Sequence, residues 1–192
     1  PLRNERRDAL DQRLSKFILD AGYLPIPVPN CINKLEDKKY SNNNVHLLAW
    51  LEAIKPIGLI LSGGNNIGDC MDRDNTEIYM LKYAEKNELR VLGICRGMQM
   101  LAHYASTNCR EVQGHIAREH KISGEITRTV TCYHQYSIIN CPAGYRVTAM
   151  AEDGVIESIQ HETRMWEGWM WHPERNNTFL DDDLNRLRML FS

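Results

Sequence analysis

The chain has 192 residues, 43% of them hydrophobic, with 23 Lys and Arg against 25 Asp and Glu for a formal net charge of −2. That length suits one domain burying roughly 70% of its extended-chain surface, enough for a sheet covered on both faces. So balanced a charge makes no electrostatic case for nucleic acid or an anionic membrane, and six cysteines without a C-x-x-C pair read as reduced thiols in a cytoplasm.

The opening Pro1-Leu2-Arg3-Asn4-Glu5-Arg6-Arg7 is charged and lacks the apolar core of a signal peptide. No apolar run of about 18 residues follows, so no membrane span is expected. Leu10, Leu14, Phe17, Ile18 and Ala21 form one apolar helical stripe ending near Gly22. Tyr23 to Pro29 alternates with three prolines and reads as a short edge-like strand. Residues 33–46 are polar and read as a loop, and His46 to Ile54 as a short helix. Ile57 to Leu61 is a buried strand stopped by Ser62-Gly63-Gly64. Asn75 to Asn87 is a helix, Val91 to Ile94 a second buried strand, and Gly97 to Ala105 a further helix. This alternation predicts a parallel sheet with crossover helices.

After residue 110 the rhythm changes to short strands at 121–131, 136–139, 146–151, 155–160 and 168–172, with turns at Pro142-Ala143-Gly144 and Glu152-Asp153-Gly154. Residues 179–191 close the sequence as a helix. With no internal repeat or linker, residues 1–192 read as a single domain.

Gly93-Ile94-Cys95-Arg96-Gly97 lies where a buried strand runs into a helix, the cysteine counterpart of a nucleophile elbow. The turn projects the side chain above the sheet edge, and the helix N-terminus favours a thiolate. The N–H of Arg96 is then placed as an oxyanion donor. A thiolate attacking an amide needs a proton donor for the leaving nitrogen. His172 is the candidate, because Gly168 to Trp171 reads as a strand ending at His172-Pro173-Glu174, with Glu174 turned the same way to hold the imidazole. The Ser62-Gly63-Gly64-Asn65-Asn66 turn leaves backbone N–H groups open to a ligand, although a plain tight turn explains the glycines as well.

Other residues keep blander readings. A metal site from His115, His120 and His134 would need facing elements that the sequence does not supply, so His115 and His120 are read as surface or loop histidines and no metal is expected. Trp166, Trp169 and Trp171 read as core, not as a stacking platform. Arg118, Lys121 and Arg128 read as solvated surface before a diphosphate contact.

Leu61-Ser62-Gly63-Gly64, Gly93 to Gln99 and His172-Pro173-Glu174 together resemble the class I glutamine amidotransferase superfamily. Within it, Arg73-Asp74…Glu77 and Tyr133-His134-Gln135 resemble the γ-glutamyl hydrolase branch. The opening Glu5 to Asp11 and the Gly63 to Asn66 loop are similar to a narrower group that includes γ-glutamyl-CDP-amidate hydrolases. The resemblance implies an α/β three-layer sandwich of flavodoxin-like topology, with a mostly parallel central sheet and a short-strand-rich C-terminal half. It also implies hydrolysis of a γ-glutamyl amide through a thioester on Cys95, with His172 and Glu174 completing a triad. Gly64 and Arg96 would form the oxyanion hole, and Gly63, Asn65, Gln99, Tyr133 and His134 would hold the glutamyl group, with no cofactor.

Two departures stand out. The family sheet normally begins with a strand ahead of the first helix, which has no counterpart in these residues, and a sheet without it would be poorly supported. Ser106-Thr107-Asn108-Cys109 replaces a glycine-rich turn. The partner expected is a small γ-glutamyl substrate. A glutaminase subunit feeding a separate synthase, a homodimer and a non-catalytic binding relative stay open.

Overall fold

The computed structural model describes residues 7–30, 32 and 45–192. Helix α1 (Gln12–Asp20) starts where the Asp11 carboxylate accepts the Arg13 N–H at 2.8 Å, and it buries Leu14, Phe17 and Ile18. Residues 23–29 join no ladder, contrary to the strand expected there. Pro25, Pro27 and Pro29 have no N–H to give, and the alternation of apolar side chains does not compensate. Of the expected polar loop, residues 33–44 lie outside the described residues, as does Cys31.

Helix α2 (Val45–Ile54) precedes strand β1 (Gly58–Leu61), helix α3 (Met71–Lys86), strand β2 (Arg90–Ile94) and helix α4 (Arg96–Tyr104). Helix α3 begins four residues before the expected Asn75, with Asp72 and Asp74 in its first turn, where the helix dipole favours carboxylates. Strands β3 (Cys109–Glu111), β4 (Ile116–Gly124), β5 (Arg128–Tyr133), β6 (Tyr136–Ile138), β7 (Tyr145–Ala151), β8 (Ile156–His161) and β9 (Trp166–Trp169) follow, and helix α5 (Asp181–Phe191) comes last.

The single strand expected over 121–131 is instead the end of β4, a tight turn and the start of β5. Gly124, at φ 140°, makes that reversal, and Thr127 Oγ1 donates back to its carbonyl at 3.2 Å. Seven strands form one curled sheet in the order β1-β2-β9-β8-β7-β4-β5, while β3 and β6 pair separately. Parallel pairing joins β1, β2 and β9; the other ladders are antiparallel.

Two layers of helix cover the parallel end. Gly168 on β9 faces α4, where a Cβ would lie 2.6 Å from Met98 Cγ. Its neighbour Glu167 points the other way and accepts from Arg186 of α5 at 2.7 Å and from Trp169 Nε1 at 3.0 Å. Trp166, Trp169 and Trp171 are all buried, as their core reading requires, with the rings of Trp169 and Trp171 stacked 5.5 Å apart. Ser106, at φ 60°, takes the left-handed position that a glycine turn would otherwise supply, and the chain goes on into β3.

Candidate active site

β2 delivers Cys95 to the N-terminus of α4 with φ 52° and ψ −107°, a conformation rarely tolerated outside glycine. The surrounding closeness enforces it. A Cβ on Gly93 would lie 2.5 Å from the backbone of Gly97, and one on Gly97 would lie 2.0 Å from the Leu61 carbonyl oxygen. The two flanking glycines are therefore steric requirements of this elbow. Cys95 N–H donates to the Trp169 carbonyl at 2.7 Å, tying the elbow to β9.

The Cys95 thiol lies within hydrogen-bonding reach of the His172 imidazole. His172 Nδ1 meets Glu174 Oε1 at 2.6 Å, and both side chains are buried. β9 ends at Trp169, earlier than the strand expected to reach residue 172, and Pro173 opens a single 3-10 turn over 173–175. That turn, not strand alternation, brings residues 172 and 174 to the same side. Burial works against the charged ring, but hydrogen bonds and charge from Cys95 and Glu174 outweigh it and push the His172 pKa up to about 9. Cys132 is different: burial first, then the Glu157 charge, push its thiol pKa far up, which keeps it an unreactive thiol.

The loop after β1 supplies the third wall. Gly63 backs onto the imidazole so closely that a Cβ would stand 2.5 Å from His172 Cε1. Gly64 (φ 151°) and Asn65 are exposed at the mouth of the site. Arg73 of α3 pins this loop by donating to the Ser62 carbonyl at 2.7 Å and the Gly63 carbonyl at 3.1 Å. Arg73 Nε also reaches Glu77 at 2.8 Å, and the buried Arg96 guanidinium pairs with both Glu77 and Asp74. Asp74 in turn accepts the Gly68 N–H at 2.7 Å. Two arginines and two carboxylates thus lock the 62–68 loop against the elbow. In the sequence, Arg73-Asp74…Glu77 stands out only by resemblance; their i, i+3 and i, i+4 spacing places them together on α3, but the fourth member, the Arg96 side chain, carries no local signal.

The residues expected around a glutamyl group divide. The Tyr133 ring faces His172, centroids 5.8 Å apart, with the Arg175 guanidinium over its other side at 4.4 Å. Gln99 Nε2 donates to the Tyr136 carbonyl at 2.8 Å and so supports the strand behind the site. His134 is buried and turned away from His172, toward Glu157. His115, read as a surface or loop residue, is buried at 3% exposure in the same cluster; its loop position in sequence gave no sign that the curled sheet would close over it. A cleft of about 330 Å³ opens beside His172, with Glu119, Thr131, Asn176 and Leu180 among its walls. Arg128 borders it, but its guanidinium is paired with the buried Asp183 and lies 5.0 Å over the Trp171 ring.

Comparison with known proteins agrees with this geometry. The family model for Glutamine amidotransferase class-I matches residues 30–189. A γ-glutamyl-CDP-amidate hydrolase of Campylobacter jejuni is 28% identical over 138 residues, covering 69% of this chain and 66% of that relative, just under two thirds of its length. The glutamine-hydrolyzing subunit of the GMP synthase of Methanothrix thermoacetophila is 33% identical over 138 residues, covering 67% and 72%. Among solved structures, a GMP synthase subunit from Thermoplasma acidophilum superposes with a TM-score of 0.73 at 22% identity, over 94% of this chain and 85% of that one.

Proposed function

Because this chain belongs to the class-I glutamine amidotransferase family, whose members are usually cysteine-dependent amide hydrolases, we propose that it hydrolyses a γ-glutamyl amide bond with Cys95 as nucleophile, His172 as acid and base, and Glu174 as the group that orients the imidazole. The single observation carrying this reading is the strained elbow at Cys95 with its thiol against an imidazole that Glu174 holds at 2.6 Å.

Cys95 sulfur attacks the γ-carbonyl carbon, and the negative charge that develops on oxygen is met by the N–H groups of Gly64 and Arg96. His172, which keeps its proton to about pH 9, delivers it to the leaving nitrogen as the C–N bond breaks. This leaves a γ-glutamyl thioester on Cys95. His172 then takes a proton from water, the hydroxyl adds to the thioester carbon, and glutamate leaves as the C–S bond breaks. The amine departs into the cleft beside His172, which is of a size that takes a small molecule.

The relatives support two sources for the amide. The γ-glutamyl-CDP-amidate hydrolase favours a self-sufficient hydrolase of a γ-glutamyl amidate, as in capsule synthesis. The GMP synthase relatives favour a glutaminase that hands ammonia to a synthase on another chain. Glutamate release from a panel of γ-glutamyl amides, L-glutamine included, separates them. Turnover of an amidate by the chain alone supports the first. Turnover of glutamine only, rising strongly with a synthase present, supports the second. Cys95→Ala abolishes either activity; undiminished turnover in that variant refutes the assignment of the nucleophile.

A further inference from the structure

On the far face of β5 from Tyr133, the curled sheet folds over a second group of reactive side chains that the hydrolysis does not use. His115, just before β4, Cys132 and His134 on β5, and Glu157 on β8 are all buried, and one ligand atom from each lies within 4.8 Å of every other. β5 and β8 are not neighbours in the sheet; β7 and β4 lie between them. His115 Nδ1 and His134 Nε2 each stand 3.2 Å from Glu157 Oε1, and Cys132 Sγ stands 3.1 Å from Glu157 Oε2.

The outer nitrogens decide what the inner ones present. His134 Nδ1 faces the Tyr136 carbonyl at 3.2 Å, and a carbonyl only accepts, so that nitrogen carries the proton. His115 Nε2 likewise faces the Asp153 carboxylate at 2.8 Å. In neutral rings the inner nitrogens are then bare lone pairs aimed at a carboxylate, and His115 Nδ1 has no hydrogen bond at all although it is buried. A cation between these atoms turns that repulsion into coordination. Imidazoles fixed through their outer N–H by a carbonyl or carboxylate are the usual supporting shell of a metal site.

We propose that His115, Cys132, His134 and Glu157 hold one divalent zinc-like ion. Two imidazoles, a thiolate and a carboxylate match zinc in donor type. A tetrahedral shell with the usual bond lengths has edges of roughly 3.3–3.8 Å, close to the 3.1–3.2 Å separations found here. On binding, the Cys132 thiol proton leaves to solvent; thiolate and carboxylate together then balance the 2+ charge, so the buried site is neutral. With four protein ligands and no open position the ion is structural. It staples β5 to β8 across the curl and sets Tyr133, the residue between two of the ligands, against His172. His120, whose Nε2 lies 3.4 Å from Cys132 Sγ and whose side chain is 18% exposed, closes the solvent side as a neighbour of the thiolate.

The site is independent of the nucleophile, so the test uses the full-length Cys95→Ala chain. Dialysed with zinc and then against metal-free buffer, it is expected to keep one zinc per chain by elemental analysis and to melt at a higher temperature than the chelator-treated protein. Cobalt(II) in its place is expected to give tetrahedral visible bands and a thiolate-to-cobalt charge-transfer band. Cys132→Ser removes the charge-transfer band, and Glu157→Gln lowers metal content. If those variants fail to fold, the cobalt spectrum of the Cys95→Ala chain decides alone. A folded Cys95→Ala chain that holds no more zinc than the buffer blank and shows no cobalt bands overturns the proposal and leaves a cluster balanced by protons. Loss of hydrolysis in otherwise native protein with zinc still bound would count against the proposed catalytic set, not against the metal.

Discussion

Replacing Gly63 with alanine tests the His172 side of the site by a single methyl group. Its φ lies outside the left-handed region, so alanine is acceptable to the backbone and the effect is steric. The added carbon would stand 2.5 Å from His172 Cε1, short by at least roughly 1 Å of the about 3.5–4.0 Å at which carbons rest together. The imidazole has little room to yield, being buried with Nδ1 tied to Glu174 at 2.6 Å. A displacement of about 1 Å in a catalytic group costs on the order of 100-fold in rate, or about 2.7 kcal/mol of barrier, and overpacking adds about 1–3 kcal/mol of lost stability. Glutamate release under saturating substrate, read beside urea unfolding, separates these two effects. Gly22→Ala is the control, because Gly22 sits at φ 97° with nothing within 4 Å of its Cβ position and far from the proposed chemistry. It is expected to lose comparable stability from backbone strain, about 1–2 kcal/mol, with kcat unchanged. A Gly63→Ala chain with undiminished kcat would refute the placing of His172 as the catalytic base.

Two further outcomes are expected. In Asp74→Ala, the buried Arg96 guanidinium keeps Glu77 but loses its second carboxylate, so urea unfolding should show a loss of roughly 3 kcal/mol; a loss below about 1 kcal/mol would mean that the charge cluster does not hold the 62–68 loop. As a general acid with a pKa raised to about 9, His172 should let kcat/KM fall as pH rises through about 9. Glu174→Gln removes one of the interactions that raise this value, so the alkaline limb should move to lower pH. Its stability contribution follows the same direction, being full below the unfolded value of about 6.5 and lost as pH climbs through about 9. An alkaline limb that stays put in Glu174→Gln would show that another group titrates.

The elements that a local pattern can specify were legible in the residues. Apolar runs broken by glycine marked β1 and β2, the spacing of Leu14, Phe17 and Ile18 marked α1, and the glycines flanking Cys95 marked the elbow, because each of these is decided by neighbours a few positions away. Where several local signals competed, the reading blurred: prolines outweighed the alternation at 23–29, and Gly124 turned one expected strand into a hairpin. The pairing of Cys95 with His172 was also within reach of the sequence, since each stands at the end of a buried strand and strand ends in a parallel sheet gather on one edge.

Proximity between distant residues that have no such shared edge was decided only by the fold. The Arg96 side chain meets Asp74 and Glu77 because α3 packs beside the elbow, and the order of residues does not say which way a buried guanidinium turns. His115, Cys132, His134 and Glu157 come together because the antiparallel half of the sheet curls until β5 lies over β8, two strands out of register with chain order. Curl accumulates from twist along the whole sheet, so no short stretch of residues encodes it, and four unremarkable positions become one buried site only when the sheet is complete.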